Sequence, residues 1–269
     1  MLRRLPSIGG LILMNKIKEV FKDSKAFIAF VTAGDPSIET TEELILAMAA
    51  SGADLIEIGV PFSDPVAEGE VIQRASQRAL LAGTTVDKIF DMVKRIRVKS
   101  DVPLAVMTYI NPVFVYGTDK FMEKCSGCGI DAVIIPDLPF EEKAEISPSC
   151  KKHDVSLISL IAPSSFERIS KIANEAEGFI YCVSSMGVTG VRNEINADIS
   201  QMISLVKKAK DIPCAIGFGI STPEQAKRMS EISDGVIVGS AIVKIVEEYG
   251  ADSAKPVSDY VKSMKNAMI

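Results

Sequence analysis

The sequence has 269 residues, of which 47% are hydrophobic and 24% are charged, a composition typical of globular proteins. Its formal net charge is −5, and the 30 lysines and arginines are scattered along the chain, which argues against a nucleic-acid-binding surface. No apolar run reaches the roughly 18 residues that a membrane span requires. The length fits two small domains or one large α/β barrel.

The first segment, residues 1–13, differs from the rest of the chain. Arg3 and Arg4 followed by apolar residues resemble a short secretory signal, but a proline and two glycines interrupt the apolar part. No small-residue cleavage site follows, and Met14 opens a more typical start. We therefore expect an N-terminal extension over 1–13, a single domain over 14–269, and a cytoplasmic protein.

Short apolar runs rich in β-branched residues recur along the chain, with helical segments between them. Continuous runs of this length are typical of strands buried on both faces of a parallel sheet. The predicted strands are, in chain order, 27–32, 54–59, 103–108, 131–136, 155–161, 178–183, 212–217 and 234–239.

Helix start signals lie between these strands. Thr84 with Asp87, and Ser164 with Glu167, have the spacing of a capping box, and residues 222–225 add a proline in the first turn. Eight strand–helix units in about 250 residues predict a single (β/α)8 TIM barrel. A doubly wound open sheet is the alternative, although the first strand is followed by FVTAGDP rather than by G-x-G-x-x-G.

The loops after the last three predicted strands are rich in glycine. In a barrel the active site lies at the carboxyl ends of the strands, and phosphate often binds at the last loops and a helix N-terminus. Gly190, Gly219 and Gly239 allow the backbone to approach a ligand, and Ser240 follows Gly239 at the start of the last long helix. These glycines indicate a phosphate site, the alternative being that they only form tight turns.

Glu57 lies inside an apolar run near the end of the second predicted strand. Period-two alternation places it on the same face as Leu55 and Gly59. If that face is the barrel interior, the carboxylate is desolvated and its pKa is raised, as suits a general acid or base. A structural glutamate paired with a buried arginine, tyrosine or threonine is the alternative.

The remaining side chains restrict the chemistry. No lysine stands at a predicted strand end, which argues against a Schiff base, and a single histidine argues against a catalytic metal. The expected site is a cofactor-free acid–base site for a phosphate ester with an apolar or aromatic body. Its expected lining comprises Phe30, Met107, Ile134, Leu160 and Val183, with Tyr109 and Tyr181.

One group of residues has zinc-like spacing: Cys125 with Cys128, and Cys150 with His153. Both pairs fall near predicted helix ends, and cysteine is also a common small buried residue. Five cysteines, an odd number, argue against a disulfide framework. We favour buried cysteines over a structural zinc site and predict no metal.

Five motifs together resemble the tryptophan synthase alpha chain family: FVTAGDP, IEIGVPFSDPVAEG, GVTGVR, GFGIS and VGSAIV. They follow the family's order and the spacing of a barrel, from residue 14 to the C-terminus. The block around Glu57 is the most specific of them, whereas VGSA alone would be weak.

The resemblance implies retro-aldol cleavage of indole-3-glycerol phosphate to indole and glyceraldehyde 3-phosphate, with no cofactor. The indole ring protonated at C3 serves as the electron sink while a base removes the glycerol hydroxyl proton. Glu57 matches the family's acid–base glutamate. Glu68 stands where the family usually has an aspartate that binds the indole N–H, so the charge is kept but moved by one methylene.

The resemblance also implies substrate-binding positions. Phe30 matches an indole-pocket aromatic, Tyr181 matches a tyrosine beside the catalytic glutamate, and Thr189 matches a threonine that orders a loop over the site. The matching phosphate positions are Gly190, Gly219, Gly239 and Ser240.

The family's partner is the pyridoxal-phosphate-dependent beta chain, in an α2β2 tetramer, and the alpha chain itself would need no pyridoxal phosphate. PFSDP at 61–65 and NPVF at 111–114 match loops that face this partner. Phe62 and Phe114 suit an interface if they are exposed, and internal packing if they are not.

Three other functions stay open. A free-standing indole-glycerol-phosphate lyase would differ in its response to an added beta chain. A non-catalytic regulatory subunit, with Glu68 as a mark of lost chemistry, would release no indole. A different phosphate-binding barrel, such as an isomerase of histidine synthesis, would explain the late loops but not the block at 56–69.

Overall fold

The computed structural model describes residues 16–183, 192–217 and 219–269, in which eight parallel strands close into a barrel in sequential order. Each predicted strand overlaps an observed one, so the predicted TIM barrel is confirmed. The predicted extension, 1–13, lies outside the described residues. The strands are β1 (Ala26–Thr32), β2 (Leu55–Gly59), β3 (Leu104–Met107), β4 (Ala132–Ile134), β5 (Ser156–Ile161), β6 (Ile180–Val183), β7 (Cys214–Gly217) and β8 (Gly235–Val238).

Helices surround the barrel between successive strands, and no described helix is long and apolar enough to cross a membrane. They are α1 (Ile38–Ala50), α2 (Glu70–Leu81), α3 (Val86–Lys99), α4 (Ile110–Tyr116), α5 (Thr118–Cys128), α6 (Ser147–Lys152), α7 (Ile169–Glu175), α8 (Arg192–Ala209), α9 (Pro223–Ile232), α10 (Ser240–Tyr249) and α11 (Ala254–Ala267). Short 3₁₀ turns occupy Ile17–Glu19, Phe140–Glu145, Pro163–Arg168 and Gly250–Asp252.

Of the three predicted helix starts, the one at 222–225 is confirmed as a capping box and two are wrong. Thr85, rather than Thr84, caps α3 by accepting a hydrogen bond from Lys88 N–H. Thr84 N–H instead bonds back to the last turn of α2, so that residue closes one helix and cannot open the next. Ser164 lies inside a 3₁₀ turn and caps nothing.

The barrel interior is apolar at the amino ends of the strands, where alternate side chains point inward. The 3₁₀ turn Ile17–Glu19 covers this end, and the ring of Phe21 lies 5.3 Å from that of Phe179. This core includes Ile28, Leu55, Ala105, Ile134, Ile158 and Ala215. The predicted placement of Ile134 in the site lining is therefore wrong, because this side chain fills the closed interior instead.

Candidate active site

Glu57 lies in β2, in register with Phe30 of β1 and Ala105 of β3. Its side chain is fully buried, and neither carboxylate oxygen has a hydrogen-bond partner among the described residues. Burial raises the pKa of Glu57 to about 8. The side chain faces inward, as the alternation predicted, and the alternative of a structural glutamate with a buried partner finds no support here.

Glu68 lies on the loop between β2 and α2, on the same side of the cavity. Its Oε2 atom is buried without a partner in the part of the chain that the structure describes, and burial raises the pKa of Glu68 to about 7. The loop backbone is fixed by Glu68 N–H, which donates to Pro65 O at 3.3 Å, and by Gln73 Nε2, which donates to Glu68 O at 2.8 Å. The backbone of Glu68 is thus fixed by hydrogen bonds, whereas its buried Oε2 atom makes none with the described residues.

Tyr109 binds the backbone of the loop between β2 and α2 and does not line the cavity. The predicted place of Tyr109 in the site lining is therefore wrong. Ala67 N–H donates to Tyr109 Oη at 2.9 Å, and the ring stacks on Phe62 with centroids 5.1 Å apart. Phe62 is therefore half-buried by internal packing. Phe114 is 49% exposed, in keeping with an interface position.

A third buried polar group without a hydrogen-bond partner among the described residues lies at the end of β1, and the sequence did not indicate it. Thr32 is buried, its hydroxyl has no partner, and it pairs in register with Gly59. Among the described residues, all the buried side-chain polar atoms without partners belong to Thr32, Glu57 and Glu68. Leaving such a group unpaired costs about 1–3 kcal/mol, so unpaired buried polar atoms are typical of sites that bind a ligand.

Glu57 and Glu68 line a cavity of about 450 Å³ at the carboxyl ends of the strands, whereas Thr32 is not among its lining residues. Its lining is largely apolar and includes the predicted side chains Phe30, Met107, Leu160, Tyr181 and Val183, together with both glutamates. A pocket of this size and character suits a small molecule with an apolar body.

Two glycines make room for the aromatic rings of this cavity. A Cβ atom at Gly59 would lie 2.5 Å from Cζ of Phe30, and one at Gly217 would lie 2.5 Å from Oη of Tyr181. Burial, followed by the charge of Glu57, raises the pKa of Tyr181 well above its usual range. Tyr181 is therefore a neutral wall of the site.

The predicted phosphate residues divide into three groups. Gly239 and Ser240 line the cavity at the start of α10, where no side chain caps the helix and its first N–H groups are available to an anion. Gly219 is exposed with φ +76° and lies outside the cavity lining. Thr189 and Gly190 lie outside the described residues.

Two cations at the cavity rim, Lys143 and Arg168, were not predicted. Lys143 Nζ lies 2.5 Å from Glu175, and Arg168 Nη1 lies 3.1 Å from Glu141. Lys143 lies in the 3₁₀ turn after β4 and Arg168 in the 3₁₀ turn after β5. Both lie outside the five family motifs, and no local sequence pattern predicts that they line the cavity. Their charges are compensated by these acids.

The residues with zinc-like spacing make contacts with other side chains. His153 Nε2 lies 3.0 Å from Asp119, and Cys150 Sγ lies 3.8 Å from Met122 Sδ. Burial raises the pKa of Cys128 to about 12, which keeps the thiol protonated. No group of three potential ligands occurs within residues 16–183, 192–217 and 219–269.

Comparison with known proteins agrees with this geometry. A family model described as tryptophan synthase alpha chain matches residues 16–268. The tryptophan synthase alpha chain of Caldanaerobacter subterraneus subsp. tengcongensis is 46% identical over 262 residues, covering 95% of this chain and 100% of the relative.

Solved structures of tryptophan synthase chains have a similar fold. Tryptophan synthase subunit alpha from Legionella pneumophila has 36% identity and a TM-score of 0.86, covering 95% of this chain and 98% of that chain. A chain of the tryptophan synthase α2β2 complex from Pyrococcus furiosus has 33% identity and a TM-score of 0.83, covering 90% and 98%. The chain described here belongs to the tryptophan synthase alpha chain family.

Proposed function

We propose that this protein cleaves indole-3-glycerol phosphate to indole and glyceraldehyde 3-phosphate, as the alpha subunit of a cytoplasmic tryptophan synthase in L-tryptophan biosynthesis. One observation carries the proposal: fully buried Glu57 and partly buried Glu68 line an apolar cavity with carboxylate oxygens that have no partner among the described residues. The cavity also opens on an uncapped helix N-terminus. The apolar walls suit the indole ring, the helix start suits the phosphate, and the acids suit proton transfer between them.

Glu57 is the group we assign to both proton transfers. A pKa of about 8 keeps it protonated near neutral pH, so it can donate its proton to C3 of the indole ring. The resulting carboxylate then removes the proton of the glycerol hydroxyl, a carbonyl forms, and the carbon–carbon bond breaks with its electron pair returning to the ring. Overall, one proton moves from the hydroxyl to C3.

Glu68 is assigned to the indole N–H. An ionised carboxylate accepts this hydrogen bond and stabilises the positive charge that the ring gains on protonation at C3. Phe30 and Tyr181 flank the ring, and Gly239 with Ser240 holds the phosphate through backbone N–H groups. Gly190, Gly219 and Thr189 are kept as proposed substrate-binding residues from the family resemblance.

The proposed partner is a tryptophan synthase beta chain, in an α2β2 assembly of the kind named for the Pyrococcus furiosus complex. Exposed apolar side chains in or next to the segments that match the partner-facing loops support this. Phe114 is 49% exposed, Val115 follows it in α4 and is 81% exposed, and Val66 follows the segment 61–65 and is 84% exposed. Exposed apolar side chains of this kind are suited to a protein interface.

The direct test is to incubate the purified chain with indole-3-glycerol phosphate, with and without a beta chain, and to follow indole release. We expect slow release by the chain alone and a marked increase on adding the beta chain. An unchanged rate would indicate the free-standing lyase, and no indole under either condition would contradict the proposal.

A further inference from the structure

A network of ion pairs joins the two helices that begin at the active site. Arg74 of α2 donates to both carboxylate oxygens of Glu247 of α10, at 2.9 and 3.2 Å, and Arg78 Nη1 lies 2.9 Å from the same carboxylate. Arg78 also binds Asp35, with Nε and Nη2 each 2.8 Å from a carboxylate oxygen. Asp35 is only 2% exposed and lies on the loop after β1.

Each end of this network lies close to an element of the proposed site. Helix α2 begins two residues after Glu68, and Gln73 in its first turn holds the Glu68 carbonyl. Helix α10 begins at Ser240, about two turns before Glu247. Glu247 therefore joins the helix that directly follows the second acid to the helix that opens the phosphate site.

The contact between α2 and α10 next to these ion pairs is apolar, and it does not by itself fix the relative orientation of the two helices. Phe30 packs there with Ile72 and Ala75 of α2 and Val243 of α10. Apolar contact is non-directional, whereas the two-pronged bond of an arginine with a carboxylate fixes distance and orientation together. The ion pairs are thus the contacts suited to setting the relative position of α2 and α10 around Phe30.

We propose that Glu247 is a positioning residue for catalysis, which holds α2 against α10 so that Glu68 and the phosphate-binding N–H groups fit one substrate molecule. The proposal rests on the function proposed above. Glu247 does not touch the cavity, so it acts through the two helices and not on the substrate.

The test uses Glu247→Gln, which keeps the shape and removes the charge that both arginines share. Because a 1 Å misplacement in an active site costs about 10²-fold, and the apolar contact remains, we expect kcat/KM to fall by roughly tenfold. The loss should appear in both parameters, with kcat lowered through Glu68 and KM raised through α10. Arg74→Gln should act in the same direction, and the double variant should be no worse than Glu247→Gln alone.

Arg95→Gln is the matched control. Arg95 is 47% exposed, against 49% for Arg74, and its Nε atom lies 2.7 Å from Glu42, joining α3 to α1 instead of the site helices. We expect kcat and KM of this variant to stay within roughly twofold of the native values. Glu247→Gln with native kcat and KM would overturn the proposal, even if its unfolding temperature falls.

Hydrogen exchange gives a readout that does not need the reaction. Amides in the first turn of α2 should exchange faster in Glu247→Gln than in the native chain or in Arg95→Gln. If the native chain releases no indole, the proposed function fails while exchange still decides whether Glu247 holds the helix. Unchanged exchange in that turn would overturn the positioning role in either case.

Discussion

Two carboxylates are buried in the same barrel in opposite chemical surroundings. Asp131 precedes β4 at the amino ends of the strands, and it accepts hydrogen bonds from Leu104 N–H at 3.0 Å, Lys16 N–H at 3.1 Å and Arg97 Nη2 at 3.1 Å. Glu57 lies towards the carboxyl ends and has no partner among the described residues. One acid is bound into the framework, and the other is the one we propose to act on a substrate.

The difference lies in what each end of the barrel has to do. A buried carboxylate with a cation and two N–H donors is compensated, and removing a partner of such a pair typically destabilises a protein by about 3–5 kcal/mol. A buried carboxylate without donors responds by holding its proton, which is the state that a general acid needs. A carboxylate that stabilises the fold therefore needs hydrogen-bond donors around it, whereas a carboxylic acid that donates a proton needs their absence.

The largest effect should follow Glu57→Gln, which removes the proposed proton donor with little change in shape. We expect turnover to fall by about 10²–10⁴-fold, as is typical for the loss of a general acid or base. Indole release at saturating substrate measures it. Turnover within about threefold of the native rate would show that Glu57 has a structural role, as Asp131 does, and no catalytic one.

The same substitution should change how stability depends on pH. The pKa of Glu57 is about 8 in the folded chain and near its usual value of 4.5 when unfolded, so between these values the folded state holds a proton that the unfolded state has released. The free energy of unfolding therefore falls as pH rises through this window. Glu57→Gln should lack this component of the fall, as urea unfolding at pH 5 and pH 8 would show.

Glu68→Gln should give the next largest loss, about 10²-fold in kcat/KM, because a neutral amide stabilises the cationic ring less than a carboxylate does. Glu68→Asp should stay within roughly tenfold, since it keeps the charge. Glu39→Gln is the matched control, because Glu39 is an exposed acid in the first turn of α1. Full activity of Glu68→Gln would mean that another acid acts with Glu57.

Glu68 also makes a prediction for the pH profile. Glu68 must be ionised and Glu57 protonated, so kcat/KM should rise with pH through about 7 and fall above about 8. The rising limb is assigned to Glu68 and the falling limb to Glu57, because burial raises the pKa of each. Glu68→Gln should remove the lower limb, and a profile that keeps it would assign that limb to another group.

The fold could be predicted from the sequence because strands buried on both faces appear as continuous apolar runs. All eight runs are strands in the structure. Glu57 was visible for the same reason, as a charge inside one of those runs. The helix starts were less certain, because Thr84 and Thr85 are neighbours with equally suitable side chains and only tertiary contacts decide between them.

The rest of the site depends on contacts between distant segments. Thr32 could have been found from its alternation with Phe30, but its lack of a partner is a property of the packed barrel. Gly217 matters because the ring of Tyr181 crosses it from the neighbouring strand. Lys143 and Arg168 reach the cavity rim through loop conformations that no local pattern specifies.

Gly239→Asp should act mainly on substrate binding. A carboxylate at the start of α10 would repel the phosphate, so we expect KM to rise by at least roughly tenfold, with a smaller change in kcat. The backbone tolerates the change, since φ is −118° and a Cβ atom would meet Phe30 at 3.4 Å. Gly127→Asp, at an open exposed position of α5, is the control. An unchanged KM would move the phosphate site elsewhere.

Asp131→Asn should have the smallest effect on turnover, and it completes the comparison with Glu57. The amide still accepts one or two hydrogen bonds, but it removes the negative charge that lies 3.1 Å from the buried guanidinium of Arg97. We expect the free energy of unfolding to fall by about 3 kcal/mol or more. Turnover per folded molecule should stay native, because this end of the barrel is separated from the cavity by the apolar core around Leu55 and Ala105. Urea unfolding and indole release on the same preparation measure both. If Asp131→Asn lowered turnover as much as Glu57→Gln does, burial without a partner would no longer distinguish a catalytic acid from a structural one in this barrel.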